Sequence, residues 1–97
     1  MVEFYRTLEV FWASIYNERC DERFTSVAEV SEGPIEGRFY IRYSHTYHPT
    51  VDAGPYYSDS YTSADTLSVA KMHVENWFED LEKAPAIKVW CKDLLRD

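Results

Sequence analysis

The longest regular pattern of apolar and polar positions runs through residues 62–84, TSADTLSVAKMHVENWFEDLEKA, where Leu67, Ala70, Val74, Trp77, Phe78 and Leu81 recur three and four residues apart. That spacing sets them along one side of an α-helix, and that side must face a core. Thr62 followed three residues later by Asp65 is a capping-box signature for the helix start. Ala84-Pro85 marks its end, because the residue before a proline is driven out of the helical region.

An earlier stripe of Phe4, Leu8, Phe11 and Ile15, widened by Trp12, has the same period, with Glu3, Arg6 and Glu9 opposite. It predicts a first helix over residues 4–16. Residues 24–31, FTSVAEVS, are β-branched and roughly alternating, and the turn-rich stretch 32–37 reverses the chain after them. In residues 38–47, RFYIRYSHTY, the positions Phe39, Ile41, Tyr43, His45 and Tyr47 fall on one face, with Arg38, Tyr40, Arg42, Ser44 and Thr46 on the other. This is the clearest strand of the chain. Pro49, Gly54 and Pro55 interrupt residues 48–61, leaving room for a short strand over 56–61, and the alternation in 86–92, AIKVWCK, adds a last one. The expected fold is α+β in the order α-β-β-(β)-α-β, an antiparallel sheet of three to four strands with two helices packed on one face, as one domain over residues 1–97.

Helix, strand, GPIEGRF, strand, turn, short strand and a long helix ending in WFEDLE resembles the layout of a double-stranded-RNA-binding domain over residues 4–82. The resemblance implies that fold. The family holds phosphates with a lysine-rich cluster at the start of its last helix, where this chain has Ser63, Ala64, Asp65 and Thr66, so no RNA-binding residue carries over. A relative that bound duplex RNA would use Arg38, Arg42, Lys88 and Lys92 instead, gathered on the exposed face of the sheet.

With 97 residues, 45% of them hydrophobic, the chain has material for a core without a disulfide or a metal. Cys20 and Cys91 belong to no CxxC or CxxH pattern, which fits a reducing compartment and thiols used as small apolar side chains. The start, MVEFYRTLEV, lacks a secretory pattern, and no apolar run approaches the roughly 20 residues that span a bilayer. These features predict a soluble cytoplasmic protein. Its net charge of −7 argues against nucleic acid and anionic membranes as partners, since both are held by Lys and Arg, and leaves basic protein surfaces open.

No glycine-rich phosphate loop, paired carboxylates or Ser-His arrangement points to an enzyme or a cofactor. His45, His48 and His73 complete no metal-ligand spacing, and His45 shares the apolar face of its strand. Burial of the two cysteines in regular elements would raise their thiol pKa rather than activate them.

Charge is uneven along the chain. Residues 48–82 hold seven acids against Lys71 alone and so supply −6 of the −7. Asp59 and Asp65 lie in and after a Tyr-, Ser- and Gly-rich loop, while Glu75, Glu79 and Glu82 line one outer stripe of the helix, with Asp80 nearby. One reading is a solvated face with Lys71–Glu75 and Glu79–Lys83 pairs, each contributing about 0.2–0.5 kcal/mol. The other is a surface in which carboxylates stand for phosphates, with Val69 and Met72 as an apolar centre inside an acidic rim. Tyr56 and Tyr57 belong to a cluster, with Tyr47 and Tyr61, that suits either a binding loop or the closing of a sheet edge.

In size, acidity, aromatic content and lack of catalytic motifs the chain is similar in type to small phage-encoded anti-CRISPR inhibitors. Several of these imitate DNA and cover the lysines of a CRISPR surveillance complex. The resemblance implies a non-enzymatic module in the host cytoplasm, docking on the basic surface of a nucleic-acid-handling complex through Tyr56, Tyr57, Asp59, Asp65, Val69, Met72, Glu75, Glu79, Asp80 and Glu82. The alternatives are the RNA-binding-like domain, or a structural homodimer packed through Val69 and Met72, so that both a monomer and a homodimer are open.

Overall fold

The first element is a strand, not the expected helix. In the computed structural model, which describes residues 2–35, 37–56 and 59–95 (of 59 and 60 the backbone alone), β1 spans Arg6–Asn17. Along its second half Phe11, Ala13, Ile15 and Asn17 turn inward, while Val10, Trp12, Ser14 and Tyr16 turn to solvent. The four residues that suggested a helical stripe include two that also alternate, Phe11 and Ile15. The β-branched and aromatic side chains around them fit a pleated surface better than a helix. The predicted order with two helices on one face is therefore wrong at its first element, and so is the helix-first layout shared with RNA-binding domains.

β1 pairs antiparallel with β2 (Glu22–Glu32) as a long hairpin, Ile15 opposite Phe24 and Phe11 opposite Ala28, with a bulge between Thr7 and Glu9. Asp21 takes φ 52° in the reversal, a left-handed conformation that aspartate tolerates better than most residues. The turn predicted at 32–37 then leads into β3 (Phe39–Tyr43), with Gly37 at φ 75°, where a side chain would be strained.

The clear strand at 38–47 breaks at Ser44. Up to Tyr43 it lies between β2 and the two-residue β5 (Ser63–Ala64), giving a four-stranded antiparallel sheet in the order β1-β2-β3-β5. Beyond Ser44, β4 (His45–His48) leaves that sheet and pairs antiparallel with β6 (Ala86–Val89) in a second one. Ser44 and Thr46, expected to face water, are buried because the strand passes between two sheets.

A single turn, α1 (Asp59–Thr62), stands where a strand over 56–61 was expected; residues 57 and 58 lie outside the described set. The long helix α2 is Leu67–Lys83. Its N-cap is Thr66 rather than Thr62: Val69 N–H donates to Thr66 Oγ1 at 3.1 Å, and residues 63 and 64 are already committed to β5. It stops at Ala84, which is extended ahead of Pro85, as the sequence predicts.

The buried face of α2, Ala70, Val74, Trp77 and Leu81, covers Ala28, Val30, Ile41 and Tyr43 of the large sheet. Trp77 is the centre of this core. It stacks on Tyr43 with ring centroids 4.4 Å apart, meets Tyr47 edge-on at 5.0 Å, and donates its indole N–H to His45 O at 2.9 Å. Aromatic pairs of this kind contribute about 0.5–1.5 kcal/mol beyond the area they bury. Among the described residues no helix is long and apolar enough to cross a membrane.

Candidate functional site

Because one side of α2 is given to the core, the opposite side is the only part of this helix free to act. Ser68, Met72, Glu75, Glu79 and Glu82 are all exposed and follow one another at four- and three-residue steps, forming a straight ridge. Neighbouring members stand about 5–6 Å apart at Cβ. Among the described residues the carboxylates of Glu75, Glu79 and Glu82 meet no hydrogen-bond donor and no cation. Lys71, expected to neutralise Glu75, reaches across to Glu9 of β1 at 3.5 Å.

The remaining candidates divide. Asp65 is exposed but ion-paired with Arg38, whose other nitrogen donates to Ser63 Oγ at 3.0 Å. Asp80 is half-buried and accepts from the Tyr47 hydroxyl at 2.8 Å. Burial first, and then that carboxylate, push the Tyr47 hydroxyl pKa far up. Val69 is half-buried and packs against the core, so of the expected apolar centre only Met72 stands on the ridge. Tyr56 also packs inward: its ring is 5.3 Å from Tyr47 and 5.9 Å from Trp77, and its N–H donates to Tyr47 O at 2.6 Å. It closes the core beside β4 rather than projecting from a loop. Asp59 begins α1 with its side chain outside the described set, and Tyr57 lies outside it altogether.

The basic residues of the RNA-binding alternative do not form a cluster available to phosphates. Arg38 is taken by Asp65 and Ser63, and Arg42 by Glu29 at 3.1 Å and Asp93 at 3.2 Å. Lys88 lies on β6 in the other sheet, and Lys92 in the 3₁₀ turn Lys92–Leu95.

Two of the histidines are hydrogen-bonded, while His73 Nδ1 is buried with no hydrogen-bond partner among the described residues. His45 Nδ1 lies 2.8 Å from Ser44 Oγ, His48 Nδ1 lies 2.7 Å from Ala53 O, and the ring of His73 meets that of Tyr61 edge-on. Burial pushes the Cys91 thiol up, which keeps it protonated and poorly nucleophilic.

Two hollows accompany these features. A cleft of ≈ 360 Å³ at the C-terminal end of α2 is lined by Arg19, Tyr47, Tyr56, Tyr61, Asp80 and Lys83, and so mixes both signs of charge. A hollow of ≈ 510 Å³ on the outer face of the sheet lies among Tyr5, Thr7, Glu29, Ser31, Tyr40 and Arg42. Its charges are internally paired, which makes it electrically neutral. The sequence places Tyr40 and Arg42 on this outer face but misses the β1 side of it, because a helix at 4–16 leaves the sheet no first strand. The signal that finds it is the alternation of Val10, Trp12, Ser14 and Tyr16.

Comparison with protein-family models, with curated proteins and with solved structures gave no match.

Proposed function

We propose that this chain is a non-enzymatic acidic protein-binding module that presents the ridge of α2 to the basic groove of a nucleic-acid-handling protein. The observation that carries the reading is the set of three exposed carboxylates, Glu75, Glu79 and Glu82, without a partner among the described residues, in one row on a helix fixed by its buried face. Other acids of the molecule, Glu9, Glu29, Glu32, Asp65 and Asp93, are ion-paired within it. A row of fixed negative charge beside Met72 offers a lysine- or arginine-lined groove what a phosphate backbone offers it, together with a small apolar contact. Small phage inhibitors that imitate DNA against CRISPR surveillance complexes work by this kind of complementarity, and such a complex is the class of partner the ridge fits.

The test is affinity capture from a host lysate with the wild type and with the triple variant Glu75→Lys, Glu79→Lys, Glu82→Lys, in nuclease-treated and untreated arms. The expected result is a basic protein partner that survives nuclease, weakens with added salt and is absent from the variant. Equal capture by the variant, or capture that disappears with nuclease, overturns the reading.

A further inference from the structure

We propose that β1 is a self-association surface, through which a second copy of the chain pairs antiparallel and extends the four-stranded sheet into a continuous one of eight. Among the described residues β1 has β2 on one side and no strand on the other, so a 12-residue strand offers an open row of backbone donors and acceptors.

Natural edge strands are guarded by charges, prolines or bulges, and β1 is guarded only at its beginning. There the bulge between Thr7 and Glu9 interrupts the register, and Glu9 itself is held by Lys71. From Val10 to Asn17 the strand reads VFWASIYN, without a lysine, arginine, acid or proline. A bare, β-branched and aromatic edge of this length is a template for another strand.

The outward row beside this edge is apolar and open to solvent. Trp12 is 71% exposed, Val10 56%, Tyr5 55% and Tyr16 42%. Together these four side chains leave roughly 400–500 Å² of largely apolar surface in water, taking about 150–250 Å² for each aromatic. Pairing of the two edges sets these rows side by side across the new junction, where cross-strand side-chain contacts add to the backbone ladder. The 3₁₀ turn that carries Asp93 against Arg42 packs over the β2 side of this face and leaves the β1 row open.

The segment fits itself better than it fits a strand of arbitrary sequence. With the two-fold axis at Ala13, Trp12 lies opposite the partner's Ser14, and Val10 opposite the partner's Tyr16, on the outer face. Phe11 meets the partner's Ile15 on the inner face, and Glu9 meets the partner's Asn17. Trp12 and Tyr16 face the smaller Ser14 and Val10 and no two acids meet, so no local like-charge pair stands in the contact, and added salt, which screens the repulsion between two copies of charge −7, should favour it. The row Val10, Trp12 and Tyr16 lies on the sheet face opposite the one α2 covers, and the proposal does not rest on what the ridge binds.

The test is sedimentation equilibrium of the whole chain from micromolar to millimolar concentration, with the fold of each variant checked by circular dichroism. The wild type is expected to move from 11.4 kDa toward twice that mass, and Trp12→Lys, whose side chain touches little within one copy, to remain at 11.4 kDa. Hydrogen exchange of the wild type needs no variant: alternate amides between residues 10 and 17 should slow by about tenfold or more as the dimer forms. A wild type that stays monomeric, a Trp12→Lys dimer of unchanged affinity, or exchange in this segment independent of concentration overturns the proposal.

Discussion

The side-chain amide of Asn17, at the end of β1, donates to two carbonyls at the end of α2, those of Leu81 and Ala84, both at 2.8 Å. Its own Oδ1 accepts from Cys20 N–H at 2.9 Å, so a fully buried side chain caps the helix and shapes the hairpin turn at once. Replacing it by alanine leaves Leu81 O and the Cys20 N–H without partners, and Ala84 O with only the Cys20 thiol at 3.7 Å. Asn17→Ala is expected to cost about 2–4 kcal/mol, at about 1–3 kcal/mol for each buried group left unsatisfied and with partial rescue by water. Differential scanning calorimetry should show the melting temperature falling by more than about 8 °C, and a drop of under about 3 °C would mean that water replaces the cap.

Trp77 unites both sheets, through its stack on Tyr43 and its hydrogen bond to His45 O. Trp77→Ala is expected to cost about 3–5 kcal/mol, which is much of the stability of a domain this size. Trp77→Phe keeps most of the volume and loses the N–H donor, for a cost of about 1–3 kcal/mol. Urea unfolding at matched m-values measures both, and the alanine variant must be the worse of the two.

His45 gives the molecule an acid limit. Its ring is buried against Phe24 beside Ser44, and burial lowers its pKa below the ordinary value of 6.5, with the Glu22 charge opposing the shift weakly. The folded state therefore takes up a proton less readily than the unfolded chain. Above pH 6.5 both states are neutral at this site and it adds no pH dependence; as pH falls below 6.5 the unfolded state gains protons first, and stability declines until the folded-state pKa is passed. His45→Gln should flatten the loss of stability between pH 6.5 and 5 measured by urea unfolding. A wild-type profile with no decline there would contradict the burial of this imidazole.

Reversing the ridge should be nearly silent for folding. Glu75, Glu79 and Glu82 meet no hydrogen-bond or ion-pair partner among the described residues, so Glu75→Lys and Glu79→Lys are expected to change stability by less than about 0.5 kcal/mol each. Reducing the net charge by this route relieves self-repulsion, which favours a small gain over a loss. A loss above about 1 kcal/mol in either variant would show that these carboxylates hold the fold instead of facing a partner.

The sequence and the structure agree where periodicity and punctuation coincide. Over residues 67–84 the 3.6-residue period, Trp77 in the stripe and the Ala84-Pro85 stop leave one reading, and the turn ending in Gly37 is equally plain. Over residues 4–16 the spacing of Phe4, Leu8, Phe11 and Ile15 satisfies a helix, while Phe11, Ala13, Ile15 and Asn17 satisfy a strand. The decision rests on pairing with β2, a contact between residues distant in sequence. The N-cap depends on a similar contact: Thr62 and Thr66 both have capping chemistry, and the pairing of Ser63 with Tyr40 decides for Thr66. At the site, the ridge glutamates are legible from helical spacing alone. That Val69 and Tyr56 turn to the core, and that Asp65 and Asp80 are already bonded, depends on Trp77, Arg38 and Tyr47, whose positions no local pattern encodes.

The break of the strand at Ser44 has a consequence for how the chain is made. Ser44 O accepts from the backbone N–H of Trp90 at 2.7 Å and of Cys91 at 3.2 Å, and β4 has its only sheet partner, among the described residues, in β6. During synthesis β1, β2 and β3 emerge in the order in which they pair, each strand with a partner already made or made next. His45, Thr46 and Tyr47 must wait until residues 86–91 have left the ribosome before their strand can pair. The second sheet is thus assembled last, and the strand at residues 45–48 stays without its ladder partner while residues 49–85 are made.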